Sequence, residues 1–196
     1  MPSSYNKFYF IRHGETDFNK EKRYTGTFDI PINKEGVRHT EDSLELLSKL
    51  NISAIYSSPL KRALQTAIII STQLKLPIII ITEFQERFFG TFQTKKKLNY
   101  NKKYFNNAQT LYQHRRQTII GFNKIRIKQN ILIIGHSGTY KALNTHLLNI
   151  NISKSINNST PICFYKDYNK CWKTIDTGIA KPWTKPNGRV SQSLSC

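Results

Sequence analysis

Short apolar segments alternating with helical patterns constrain this chain more than any other feature. Residues 7–11 (KFYFI), 54–56, 78–81 and 131–134 are too short for buried helices. They carry the aromatic and β-branched side chains of strands buried on both faces. Between them, Asn33 stands as a helix cap with Glu35 in the first turn, and Val37, Leu44, Leu47 and Leu50 fall on one face. Ser58 precedes Pro59 as capping residue and first helical position of a second helix, running to about Leu74. Further helices are expected over 109–128 and 138–148, and residues 161–165 and 171–175 flank Asp167, Tyr168 and Asn169 as a hairpin. The alternation predicts an α/β three-layer sandwich, a mostly parallel central sheet with helices on both faces.

At 196 residues and 38% hydrophobic content, the chain suits one domain with a real core, expected over 1–180. Residues 181–196, with Pro182 and Pro186, read as a loosely ordered tail. The apolar runs stop at four residues, far short of the roughly 20 that span a bilayer. The opening MPSSYNKFYF has no basic cap before an apolar stretch, so a cytoplasmic protein is expected. Cys163, Cys171 and Cys196 exclude a disulfide-dense scaffold and offer no zinc spacing. Cys163 and Cys171 are placed to face each other across the hairpin, with reduced thiols the default in cytosol.

Net charge is +18 and unevenly spread. Residues 87–166 hold 14 Lys or Arg and no acidic residue. A lysine-rich genome explains many cations, but not eighty residues without one acid, so an anionic ligand is a live expectation. Within this stretch residues 91–107 are polar, basic and aperiodic, and with the start of the next helix they predict a lid-like excursion over about 91–116.

The chemically dense points sit at matching places in this layout. Arg12, His13, Gly14 and Glu15 begin where the first strand ends; Arg62 opens the helix after the second; Gly135, His136, Ser137 and Gly138 follow the 131–134 strand. In an open α/β sheet the ligand crevice lies outside the carboxyl ends of the strands, where helix N-termini favour anions. Two histidines and two arginines aimed at one crevice make a phosphate site. Neither a Walker pattern nor GxGxxG is present. His39, His114 and His146 read as ordinary packed or surface histidines.

The continuation RHGETDFNKEKRYTGTFDIPINKEG resembles the opening signature of the histidine phosphatase superfamily, its phosphoglycerate-mutase-like branch one. Arg12, His13, Gly14, Glu15, Thr16, Asn19, Arg23, Gly26, Asp29, Pro31 and Gly36 fall in place. SSPLKRALQTA over 57–67 is similar to the family's second phosphate-binding segment, QERFFG over 85–90 to its acid-bearing segment, and Gly135-His136 to its second histidine. The likeness runs over about residues 5–178 and implies a phosphoglycerate-mutase-like fold.

The resemblance implies that His13 attacks phosphorus to form a phosphohistidine, splitting one hard displacement into two. Arg12, Arg62 and a protonated His136 would hold the non-bridging oxygens. Glu86 would act as general acid and base, favoured over Glu83 by its spacing to Gly90. Asn19, Thr25 and Gly26 are expected on the substrate, and Glu15, Arg23 and Asp29 as braces. Ser137, where the family has glycine, narrows the pocket or adds a hydroxyl. Lys97, Arg115 and Arg116 lie at the positions of substrate-binding residues in true mutases, or else form a basic outer face. No metal or other cofactor is implied. The expected substrate is a small phosphorylated anion, cleaved by a phosphatase, because the long insertion of the mutases is absent. A mutase-type phosphotransferase and a non-catalytic anion- or nucleic-acid-binding module are the rivals. No membrane partner is expected, nucleic acid is disfavoured, and the oligomeric state is open, a homodimer included.

Overall fold

A computed structural model describes residues 7–97, 106–125, 130–152 and 155–177. Strands β1 (Lys7–Arg12), β2 (Ala54–Ser57), β3 (Ile78–Ile80), β4 (Ile131–Gly135), β5 (Pro161–Lys166) and β6 (Trp172–Asp176) form one sheet in the order β3-β2-β4-β1-β5-β6. β3, β2, β4 and β1 pair in parallel, and β5 runs antiparallel to β1 and β6. The expected mostly parallel sheet is present, extended beyond β1 by the C-terminal hairpin.

Alternation along β1 feeds two cores. Phe8 and Phe10 join Ile131 and Ile133 against Phe122 of α5 (Leu111–Asn123) and Tyr140 and Leu143 of α6 (Ser137–Leu148). Tyr9 and Ile11 join Leu132 and Ile134 against Leu47 of α3 (Leu44–Ser48) and Ala63, Ala67 and Ile70 of α4 (Lys61–Leu74). Both faces of β1 and β4 are covered, which is why these strands are apolar throughout. Burial of each large apolar side chain contributes about 1.5–3 kcal/mol. Together they clamp β1 and β4 side by side, and the site depends on that adjacency.

Local chemistry redraws several helix limits. After a single-turn α1 (Asp17–Lys20), the helix expected after Asn33 is two: α2 (Lys34–Asp42), whose Gly36 N–H donates to the Asn33 side chain at 2.8 Å, and α3. The break falls at buried Ser43, whose hydroxyl donates to the Thr40 carbonyl at 2.6 Å, a side-chain bond that competes with helix continuation. Ser58 does not cap α4, which begins at Lys61 after Leu60. That end is capped from another loop, the Lys61 N–H donating to Asp29 Oδ1 at 2.6 Å. Helix α5 is shorter than expected and opens on a Thr110–Gln113 capping box.

The basic stretch is not a free excursion. Tyr24 N–H donates to the Lys95 carbonyl at 2.9 Å, Thr94 N–H to that of Tyr24 at 2.7 Å and Lys97 N–H to that of Lys22 at 2.7 Å, so residues 94–97 lie as a strip along 22–24. Residues 111–116 of the expected excursion form the first turns of α5. The middle of the expected excursion, 98–105, and the expected tail, 181–196, lie outside the described residues. The hairpin turns between Lys166 and Trp172, which sets Cys163 opposite Ile175 and not Cys171; Cys163 is a buried free thiol. Among the described residues no helix is long and apolar enough to cross a membrane.

Asp29→Ala removes the acceptor at the start of α4 and is expected to cost about 1 kcal/mol. For a chain of this size a thermal melt should then fall by about 2–4 °C; an unchanged Tm contradicts the capping role.

Candidate active site

The register that pairs Arg12 with Gly135 makes β1 and β4 end together, so His13 and His136 leave the sheet at neighbouring points. His13 N–H donates to the Gly135 carbonyl and Ser58 N–H to that of Ile134, each at 3.0 Å, which draws the ends of β1, β2 and β4 into one crevice. The two imidazole centroids are 5.1 Å apart. Nothing local in the sequence dictates this meeting; it follows from strand order.

His13 is locked at both ring nitrogens. Nδ1–H donates to the Gly14 carbonyl at 2.7 Å, which leaves a lone pair on Nε2, and Arg62 Nε–H donates to that lone pair at 3.2 Å. Burial, then Arg62 and Arg12, push its pKa well below the ordinary histidine value, so the ring is neutral. Its backbone is braced by Asn158, whose Nδ2 donates to the His13 carbonyl at 2.7 Å and to Asn19 Oδ1 at 3.2 Å. Helix α2 packs directly behind the loop: a Cβ on Gly36 would lie 2.3 Å from the Glu15 carbonyl oxygen, so only glycine fits.

Arg62 is 1% exposed. Its Nη2 donates to the Gly26 carbonyl at 2.7 Å and Nη1 to that of Phe28 at 3.0 Å. Burial lowers its pKa to about 10, which still leaves it charged at neutral pH. Arg12 donates through Nη1 to Ser155 Oγ at 3.2 Å and the Ile156 carbonyl at 2.9 Å, while its buried Nε has no hydrogen-bond partner among the described residues. No carboxylate among the described residues forms a salt bridge with either guanidinium. The buried Arg62 guanidinium thus donates to the imidazole while half-buried Arg12, its Nε unpaired among the described residues, acts on the same ring electrostatically, an arrangement that favours an anion.

His136 is fully buried, and its Nε2 and Ser58 Oγ are hydrogen-bonded at 2.8 Å. Ser58, expected as a helix cap, is therefore committed to the site. The protonated His136 implied by the resemblance is not the resting form. Burial first, then Arg62, His13, His114 and Arg12, hold its pKa well below the ordinary value, because only cations and other imidazoles surround it.

Glu86 approaches from the segment after β3. Its Oε1 accepts from its neighbour Arg87 N–H at 2.8 Å, and its Oε2 from Gly138 N–H, in the first turn of α6, at 3.1 Å. It acts electrostatically on both Arg12 and Arg62. Glu83, the other carboxylate weighed for that role, forms an ion pair with Lys124 at the end of α5. His114, read from sequence as an ordinary histidine, is instead 3% exposed with Nε2 3.5 Å from Glu86 Oε1. A single histidine in a basic helix carried no signal that could have marked it. His39 packs within α2 beside Glu35, and His146 is exposed on α6, as expected.

The remaining expected residues divide. Gly26, at φ +55, is held where its carbonyl meets Arg62, and Thr25 is buried beside it. Asn19 spends its side-chain oxygen on Asn158 and on the Thr16 N–H. Ser137 Oγ bonds Ser155 Oγ at 2.8 Å, on the same rim that carries Arg12. Lys97 is exposed with its Nζ over the Tyr24 ring, and desolvation together with repulsion from Arg12 and Lys141 lowers its pKa. Arg115 and Arg116 are exposed and project about 100° and 200° around α5 from buried His114. Glu15 accepts from Asn33 Nδ2 at 3.0 Å, and Arg23 Nη1 donates to the Thr94 carbonyl at 2.9 Å, both bracing the loop.

Known proteins resemble this chain in sequence and in fold. The Bacillus subtilis (strain 168) protein named uncharacterized phosphatase PhoE is 33% identical over 144 residues, 70% of this chain and 75% of that protein. The adenosylcobalamin/alpha-ribazole phosphatase of Escherichia coli (strain K12) is 23% identical over 188 residues, 87% of this chain and 89% of that one. Among solved structures, a phosphoglycerate mutase from Bacillus anthracis superposes with a TM-score of 0.74 at 18% identity, covering 87% of this chain and 91% of its own. A family model described as the histidine phosphatase superfamily, branch 1, matches residues 8–163. With its sheet order and paired histidines, the chain belongs to the histidine phosphatase superfamily, branch 1.

Proposed function

We propose that the protein is a phosphatase that hydrolyses a phosphate monoester through a phosphohistidine on His13, with Glu86 as general acid and then general base. One observation carries this reading: a neutral, oriented Nε2 lone pair accepts from the buried Arg62 guanidinium, half-buried Arg12 acts on the same ring electrostatically, and neither arginine has a carboxylate salt bridge among the described residues. In the first step Nε2 bonds to phosphorus, the ester P–O bond breaks, and the proton on Glu86 passes to the leaving oxygen. In the second, Glu86 takes a proton from water, the new O–P bond forms, the N–P bond breaks, and inorganic phosphate departs. Arg12, Arg62 and His136 supply the charge stabilisation, each fixed donor worth a few kcal/mol. The phosphate dianion reverses the field at His136 and draws a proton onto it.

Hydrolysis is favoured over mutase-type transfer by the exposed positions of Arg115 and Arg116, which a mutase would use on its substrate. A further anionic group on a small substrate suits exposed Lys97, whose ammonium feels the charge of Arg12. His13→Ala is expected to abolish hydrolysis of an aryl phosphate while the circular dichroism and melt stay native, and acid-labile labelled phosphoenzyme should appear in the wild type only. Isomer exchange between phosphoglycerates faster than phosphate release would select the mutase reading instead.

The three buried imidazoles also tie stability to pH. His13, His114 and His136 all have lowered pKa values, so the folded state binds fewer protons than the unfolded chain below about pH 6.5. Their contribution is complete above that range and is lost as pH falls through it, by up to about 1.4 kcal/mol per pH unit for each ring. Tm is expected to fall steeply from about pH 7 to 5.5, and millimolar inorganic phosphate should recover part of the loss by pairing with the protonated rings. A flat profile, or no effect of phosphate, contradicts the neutral pocket.

A further inference from the structure

The imidazole of His114 has no place in the two-step scheme, yet its setting is costly. It is 3% exposed, and neither ring nitrogen has a hydrogen-bond partner among the described residues. A histidine that merely packs normally satisfies its nitrogens. The charged and titratable groups that act on it are Glu86 and Arg87, and it in turn acts on His136.

The contact is built from three directions. Helix α5 lies tightly on the turn preceding Glu86: a Cβ on Gly121 would be 2.8 Å from both Glu83 Cβ and Ile81 Cγ2. Helix α6 yields space from the other side, since a Cβ on Gly138 would sit 2.1 Å from Glu86 Oε1 and 2.7 Å from His114 Nε2. The glycine thus lets carboxylate and imidazole meet, with Nε2 at 3.5 Å from Oε1, a few tenths of an ångström beyond hydrogen-bond range.

We propose that His114 is a positioning residue for the general acid: when the 3.5 Å contact tightens by a few tenths of an ångström, its Nε2–H donates to Glu86 Oε1 and keeps the transferable proton on Oε2. Oε1 already accepts the Arg87 N–H, so a second donor there makes it the oxygen that holds no proton. Oε2, with the Gly138 N–H as its one donor among the described residues, is left to carry the proton to the leaving group. The bare Nδ1 of His114 is then a buried acceptor, cheaper to leave unpaired than a donor. This inference rests on Glu86 being the general acid.

The test is kcat/KM, which reports the phosphorylation step, for phosphate monoesters ranging from p-nitrophenyl phosphate to simple alkyl phosphates. A good leaving group needs no proton, whereas an alkoxide does. Glu86→Gln should lose roughly 10²–10⁴-fold on alkyl phosphates and little on p-nitrophenyl phosphate. His114→Leu should show the same slant at roughly tenfold, a fraction of what the acid supplies. His114→Gln, whose amide N–H reaches a similar point, should restore most of it. A uniform loss across leaving groups with His114→Leu, or no loss, overturns the inference. If Glu86→Gln itself shows no slant, the general-acid reading fails, and the inference with it. Should His114→Leu not fold, ¹⁵N shifts of histidine-labelled wild-type protein decide: an Nε2–H tautomer at His114 supports the proposal, and an Nδ1–H tautomer overturns it.

Discussion

A guanidinium buried against an imidazole governs the head of this sheet. Arg62 Nε–H donates to His13 Nε2, and a cation donating to a lone pair excludes a proton from it. The proposed nucleophile is thereby kept unprotonated by the same group that would hold the phosphoryl oxygens. Burying a guanidinium to 1% exposure carries a desolvation cost of several kcal/mol. The carbonyls of Gly26 and Phe28 offset part of it, and an anion would offset the rest.

Those two carbonyls have to be delivered by backbone far from the strands, which explains the elaborate loop at residues 22–29. Gly26 takes φ +55, and a Cβ there would come within 2.5 Å of Gln93 Oε1. That same oxygen accepts from Thr27 N–H and Thr27 Oγ1, each at 2.8 Å. Asp29 then ties the far end to the start of α4, the helix that carries Arg62. The basic segment at 94–97 accordingly works as a strap on the loop. Its lysines are held at the rim by main-chain bonds whatever their side chains do, so structure and charge are served by the same residues.

The parts of this architecture written locally were legible in advance. Strands buried on both faces need unbroken apolar runs, and residues 7–11 and 131–134 show them; a helix start needs an Asx or Ser/Thr cap, and Asn33 is one. Arg12, His13, Arg62 and His136 stood at strand ends where an α/β sheet places ligands. What escaped were bonds between segments distant in sequence. Asp29 capping α4, Asn158 gripping the His13 carbonyl and Ser58 bonding His136 have no local pattern, because each partner is supplied by the fold. Ser58 illustrates the limit: its hydroxyl accepts the Leu60 N–H at the start of α4, at 3.3 Å, as a Ser-Pro signal suggests, but it also bonds a buried imidazole 78 positions away. His114 is the extreme case, a polar side chain at an inward helical position whose meaning depends on Glu86 and on the missing Cβ of Gly138.

The placement of Glu86 completes the logic of charge. A carboxylate beside two arginines would ordinarily pair with them, consuming both the acid and the anion-binding donors. Here its oxygens are taken instead by the main-chain amides of Arg87 and Gly138, so attraction to Arg12 and Arg62 acts only at longer range. Neutral amide donors satisfy a carboxylate without cancelling the positive charge of the pocket. The permanent charges of the site therefore sit on arginines that cannot lose them, and the adjustable ones on imidazoles held neutral by burial. An entering dianion meets full positive charge at Arg12 and Arg62 and recruits more at His136 only once it has arrived. On the proposed mechanism that order puts the strongest stabilisation where negative charge would concentrate during transfer, and leaves Glu86, as the proposed acid, to give up its proton and recover it.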